Sequence, residues 1–198
     1  MPPESIRRKP STPDTLRLAL TNELFPNAAQ HVLTFCYSAC RLDGHALGWL
    51  PIAAYNEAHA FGRILALWNN DDLVGFCLFS THQLELRCLQ IWIRRDARLM
   101  VHGRALIDDL ERRAQRAGCF RIRLWCAIDL EANLFWRALH FRPITWRWGR
   151  ARHGRRHVLW VRPITQPLGS TPQPVWRPAD ALAHTTPRSS LLQTSAAT

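Results

Sequence analysis

Residues 89–106 read LQIWIRRDARLMVHGRAL, and the reading of this stretch decides the fold. From Leu84 to Ile93 apolar residues alternate as Leu84, Leu86, Cys88 and then Leu89, Ile91, Ile93, the pattern of a strand whose phase slips at 88–89. One extra residue there implies a β-bulge. From His102 the period changes: Leu106, Leu110 and Ala114 share one face with Ile107 and Ala117 beside it, while Asp108, Asp109, Glu111, Arg112, Arg113 and Arg116 cover the other. This is an amphipathic helix that stops at Gly118. Between strand and helix lies a turn with Arg98, Gly103 and Arg104. The first N–H groups of a helix have no partner within it, and with the macrodipole they attract an anion such as a pyrophosphate.

Working outward, Asn27–Leu42 and Ile52–Ala60 have helical spacing, and Arg63–Trp68 and Leu73–Ser80 read as strands joined by Asn69-Asn70-Asp71-Asp72, a tight-turn sequence. Phe120–Ala127 alternates again, Leu130–Leu139 is helical, and Ile144–Trp148 and Val158–Val161 are strand-like. The fold class is α/β, a single sandwich with a mixed, mostly antiparallel sheet flanked by helices. The domain is expected over 15–164. Residues 1–14, proline-rich and basic, and 165–198, rich in Pro, Ser, Thr and Ala, read as disordered.

Here the chain resembles the GCN5-related N-acetyltransferase (GNAT) superfamily. Its pyrophosphate motif, Gln/Arg-x-x-Gly-x-Gly/Ala, is matched by Arg98-Leu99-Met100-Val101-His102-Gly103, followed by Arg104. Ile91-Trp92-Ile93 fits the splayed strand whose backbone holds the acetyl and pantetheine amides in relatives. Residues Glu131–Phe141, EANLFWRALHF, resemble the second cofactor motif. The resemblance implies acetyl-CoA as cosubstrate, with Asn133 near the pantetheine arm and the Ile93 N–H polarising the thioester carbonyl. Three departures stand out: Val101 replaces the first glycine, His140 replaces the glycine before Phe141, and Trp136 stands where many relatives carry the tyrosine that protonates the leaving thiolate. A β-branched residue resists positive φ, so the loop must accept a negative φ at Val101 or bind phosphate less well.

Acetyl transfer needs a neutral amine, a polarised carbonyl and a stabilised thiolate. Glu85 and Trp136 are the expected catalytic positions. Glu85 is the carboxylate of the central strand, although relatives often carry theirs at the position of Arg87; Tyr55, Glu57 and His59 lie on the acceptor-side segment. His102 could approach a phosphate at the helix start but reads better as a pattern-neutral loop residue, and Asn133 reads equally well as a local backbone cap. Cys126 and His140 do not make a nucleophile and base, since Cys126 continues an apolar face and no third group orients them.

The chain carries 26 Lys and Arg against 15 Asp and Glu, a formal +11, with Lys9 its one lysine. Arg147, Arg150, Arg152, Arg155 and Arg156 crowd one segment beside Trp146 and Trp148, which reads either as a solvated hairpin or as a nucleic-acid contact. The six cysteines lack paired CxxC spacings and read as reduced hydrophobes, so no metal is expected. No membrane-length apolar run and no secretory h-region are present, giving an expectation of a soluble, cytoplasmic protein. The oligomeric state stays open, a dimer included. The leading expectation is an acyl-CoA-dependent N-acetyltransferase acting on a primary amine of a small molecule or protein; the alternatives are an acetyltransferase of charged tRNA or another nucleic acid, and a GNAT-fold binding protein without catalysis.

Overall fold

The computed structural model describes residues 15–98, 101–149 and 154–165. The segments 1–14 and 166–198, read from sequence as disordered, lie outside the described residues. The elements run β1 (Leu16–Leu20), α1 (Pro26–Leu47), α2 (Ile52–Ala60), β2 (Ile64–Asn69), β3 (Asp72–His82), β4 (Glu85–Ile93), α3 (His102–Arg116), β5 (Arg121–Ala127), α4 (Ala132–Ala138), β6 (Arg142–Trp148) and β7 (Arg156–Pro163). The strands form one sheet in the order β1-β2-β3-β4-β5-β7-β6. Among the described residues only β4 and β5 pair in parallel. Helices α1 and α2 cover one face over β2 to β4, packing Val32, Cys36 and Tyr55 on Ile64, Phe76 and Trp92. On the opposite face α3 and α4 bury Leu106, Leu110 and Trp136 against Leu86, Ile122 and Leu124.

Local chemistry explains the joints. Asn70, at φ 54, turns β2 into β3, as the Asn-rich sequence predicts. The next hairpin carries Gln83 and Leu84 at φ 48 and 60, so β3 runs to His82, two residues beyond its expected end. Apolar Leu84 gives no turn signal. Helix α3 ends in a Schellman motif with Gly118 at φ 68 and Cys119 N–H donating to Ala114 O, as expected. Helix α4 ends the same way, but with His140 at φ 62 and Phe141 N–H donating to Trp136 O. Helix α1 passes the expected stop at Leu42; Asp43 is non-helical there (φ −125, ψ 25) and the helix resumes to Leu47. All six cysteines are buried, with Cys77 Sγ 3.5 Å from Cys88 Sγ. No described helix is long and apolar enough to cross a membrane.

Candidate active site

Strands β4 and β5 pair over only three residues, Glu85–Arg87 with Arg121–Arg123, and then diverge. The gap between them is a cleft of about 650 Å³, walled by β4 from Cys88 to Ile93, by Leu124–Cys126 of β5, by the end of α1, and by Gly103, Phe135 and Trp136 on the α3 and α4 side. At the point of divergence β4 bulges. Leu78 pairs with Gln90 and Phe79 with Cys88, which leaves Leu89 unpaired, 52% exposed and facing the cleft. This is the slip read from the sequence. Further along, Arg94 N–H donates to Val74 O of β3 while Ile93 O accepts from Arg98 Nε at 2.9 Å. The N–H and C=O of a strand residue point to the same edge, so the Ile93 peptide groups turn away from β3, toward the cleft.

Helix α3 begins at this cleft. Val101 precedes it at φ −68, ψ −7, so the loop takes the negative φ that a β-branched residue allows. Gly103 lines the cleft, and a Cβ there would lie 3.0 Å from Phe135 Cε2. A larger residue at 103 would make that ring give way by a few tenths of an ångström, while the backbone there is not in the left-handed region.

Behind the cleft sits a network centred on Asp43, which is 5% exposed. Its carboxylate accepts from Trp92 Nε1 at 2.8 Å, Arg95 at 2.9 Å and Arg98 at 2.8 Å. The Trp92 hydrogen bond foremost, with the two arginines, outweighs the effect of burial and lowers its pKa to about 2. Gln90 performs a similar tie: Nε2 donates to Gly48 O at 2.8 Å and Oε1 accepts from Tyr55 OH at 2.8 Å. On the far side Arg155 holds Asp129 at 2.8 Å and donates to His45 O, linking the β6–β7 hairpin to α1.

A splayed parallel pair, a bulge at the split and a helix N-terminus aimed into the gap are now in place, and a family model described as acetyltransferase (GNAT) family matches residues 27–141, more than half of the chain. The chain belongs to the GNAT acetyltransferase family. Solved structures share the GNAT fold at low identity. The ribosomal-protein-S18-alanine N-acetyltransferase from Escherichia coli superposes with TM-score 0.60 at 16% identity, covering 79% of this chain and 99% of that one. Ard1 from Thermoplasma volcanium gives 0.64 at 16% identity over 78% and 100%. Arabidopsis thaliana NAA60, solved with a bisubstrate analogue, gives 0.62 at 12% identity over 77% and 100%. No curated protein matches the chain in sequence.

Within this GNAT cleft the structure brings together Ile91, Trp92, Ile93, Arg98, Gly103 and Trp136. Trp92 turns its ring under α1 to reach Asp43, and only its backbone stays available to a ligand. Trp136 is buried between Phe135 and Phe141, ring centroids 4.8 and 5.2 Å away. Other expected positions are not in the cleft. Glu85 is 6% exposed at the paired end of β4, held by Arg121 and by Arg123 Nε at 2.7 Å, and does not line the cleft. The Asn133 amide donates to Ala127 O at 2.8 Å and Leu130 O at 2.6 Å and accepts from Trp160 Nε1, so it clamps the β5–α4 loop instead of a pantetheine. The His102 ring is 2% exposed and bonded to Ala97 O at 2.9 Å; only its backbone N–H can serve. Arg104 points to solvent beside Asp108. Leu99 and Met100 lie outside the described residues. Tyr55 is buried in the α1–α2 core, and burial pushes its phenol well up. Cys126 is likewise pushed up to about 11 by burial, in keeping with a structural thiol.

The basic hairpin divides between the two faces of the sheet. Arg147 stacks over Trp125 at 4.0 Å, Arg155 is tied to Asp129, and Arg156 lies 5.9 and 5.8 Å from the Trp146 and Trp148 rings. Arg150 and Arg152 of the same cluster lie outside the described residues. Sequence reasoning missed Asp43 and Gln90, polar residues inside otherwise apolar surroundings whose partners come from distant segments.

Proposed function

We propose that this GNAT protein is an acetyl-CoA-dependent N-acetyltransferase that transfers acetyl from the thioester to a primary amine of a protein or small molecule. The observation that carries this reading is the α3 N-terminus, with Gly103, opening on the split between β4 and β5. The N–H groups at the start of α3 suit the pyrophosphate, and the cleft edge of β4 suits the amide-rich pantetheine arm. When bound, the cosubstrate supplies an activated acyl group. The chain's own contribution is positional: the outward-turned Ile93 N–H suits a developing oxyanion, the Leu89 bulge widens the approach, and Trp136 with Phe135 excludes water from one wall.

Asp43 keeps Arg95 and Arg98 at the cofactor end, so Arg98 contributes positive charge near the phosphates while its fork stays committed to Asp43 and Ile93 O. With an indole at 136 the thiolate is stabilised by donors or protonated by water. The test is release of free coenzyme A from acetyl-CoA across a panel of amines. Turnover with at least one amine is expected; cofactor binding without turnover on any amine would leave a GNAT-fold binding protein.

A further inference from the structure

Resting on the acetyltransferase reading, we infer that Arg87, Arg121, Arg123 and Arg147 form an anion platform beside the cleft that selects an acidic peptide, whose N-terminal α-amine is the acceptor.

The placement follows from strand alternation. Leu86, Ile122, Leu124 and Cys126 point to the α3 and α4 face, so Arg87, Arg121, Arg123 and Trp125 point to the other, where Gln90 and Trp92 meet α1 and Tyr55. Arg87 pairs in register with Arg123 at the last rung before the strands part, and Trp125, the next residue on that face, lines the cleft. Arg147 reaches across β7 to stack on Trp125. Arg87 and Arg123 therefore stand at the split itself, Arg121 lies two residues, roughly 7 Å, back along β5, and Arg147 comes to the split through Trp125.

The charge on this face is unbalanced. Strands β4 to β7 contain a single acidic residue, Glu85, which already holds Arg121 and Arg123. Arg87 Nε is buried without a hydrogen-bond partner. Burial and the neighbouring Arg87 are the leading causes that depress the Arg123 guanidinium, with Arg121 and Arg147 adding and Glu85 opposing. Carboxylates arriving here would relieve the repulsion among these guanidinium groups. From β4 to β6 the platform spans three strand spacings, about 14 Å, the length of roughly four extended residues. That suits a peptide carrying two or more carboxylates better than a compact small molecule.

The cleft also favours an α-amine. Among its described lining residues the carboxylates of Asp43 and Asp129 are held ionised by arginines, which leaves exposed His45 and Glu131. An α-amine near pKa 8 sheds its proton far more easily than a lysine near 10.4, so it asks less of the enzyme.

The experiment uses the full chain and three peptides of equal length beginning Ala-Glu-Glu, Ala-Gln-Gln and Ala-Lys-Lys, each with a fluorophore at its C-terminus. Coenzyme A release reports turnover, and anisotropy without cofactor reports binding. The Glu peptide is expected to exceed the Gln peptide by about tenfold or more in both binding and kcat/KM. In Arg147→Glu and Arg123→Gln, checked for unchanged Tm, that margin shrinks, and Arg147→Glu improves the Lys peptide. Equal use of all three peptides would overturn the inference while leaving the acetyltransferase reading intact. So would a single-stranded RNA oligonucleotide that binds more tightly than the Glu peptide and is lost in Arg147→Glu. Selective binding of the Glu peptide with no coenzyme A release from any amine would support the platform as an acidic-peptide site and overturn the activity.

Discussion

Asp43 shows how one buried carboxylate joins helix α1 to the end of β4 and the loop that follows it. Its pKa is depressed, so its contribution to stability is complete above the unfolded value near 4 and is lost as pH falls toward about 2. A shift of this size corresponds to about 2 kcal/mol. Asp43→Asn should remove that amount at pH 7 and flatten the acid limb of a Tm-against-pH curve between about pH 4 and 2; a variant with an unchanged acid limb would place the coupling elsewhere. His140 is the complementary case. It holds φ 62 where the family motif has glycine. A left-handed L-residue costs about 1–2 kcal/mol, and glycine returns about 0.5–1 of it through unfolded-state entropy. His140→Gly should therefore raise stability by up to about 1 kcal/mol in urea unfolding, and a loss of stability would mean that the imidazole makes contacts that matter more. At position 136, Trp136→Tyr should keep acetyl-CoA binding and hold or raise kcat, whereas Trp136→Ala should cost about 3–5 kcal/mol of stability by leaving a cavity beside Phe141. Loss of turnover in the tyrosine variant with intact binding would show that the indole itself takes part.

At the scale of elements, the legible parts were those whose chemistry is local. The bulge at Leu89 appears as a phase slip, the α3 stop as Gly118, and the β2–β3 turn as its asparagines. Strand β1 escaped because Leu16, Leu18 and Leu20 alternate over only five residues beside a segment read as irregular. The extension of α1 past Asp43 escaped because its cause lies in Trp92, Arg95 and Arg98, some fifty residues on. The His102 ring gave no sequence sign that it turns inward, whereas the local backbone bond that was one of two readings of Asn133 is formed. Glu85 lies on the central strand as read, at the end where that strand is paired, while the strand opens from β5 only beyond Arg87.

Taken as a whole molecule, the sheet is divided by function along its length. The β1 to β4 half is sandwiched by helices and supplies a rigid wall, while β5, β7 and β6 carry one open face with its arginines. The α3 and α4 face receives the cofactor motif; the opposite face, bounded by α1 and the β6–β7 hairpin through Arg155, receives the acceptor in the proposed reaction. A strongly basic molecule would draw an acidic acceptor to that face and lose the advantage as salt rises.

The most direct measurement of the central claim is the thermal stability of the full chain with and without acetyl-CoA, beside Gly103→Glu. Binding to the native state alone adds RT ln(1 + [L]/Kd), about 2.7 kcal/mol at a hundredfold excess over Kd, which for a domain of this size raises Tm by roughly 5–10 °C. The account predicts that rise in the wild type and its absence in Gly103→Glu, whose carboxylate would stand at the α3 N-terminus against the pyrophosphate and crowd Phe135. A wild type whose Tm ignores acetyl-CoA, or a Gly103→Glu variant that responds as fully as the wild type, would contradict it.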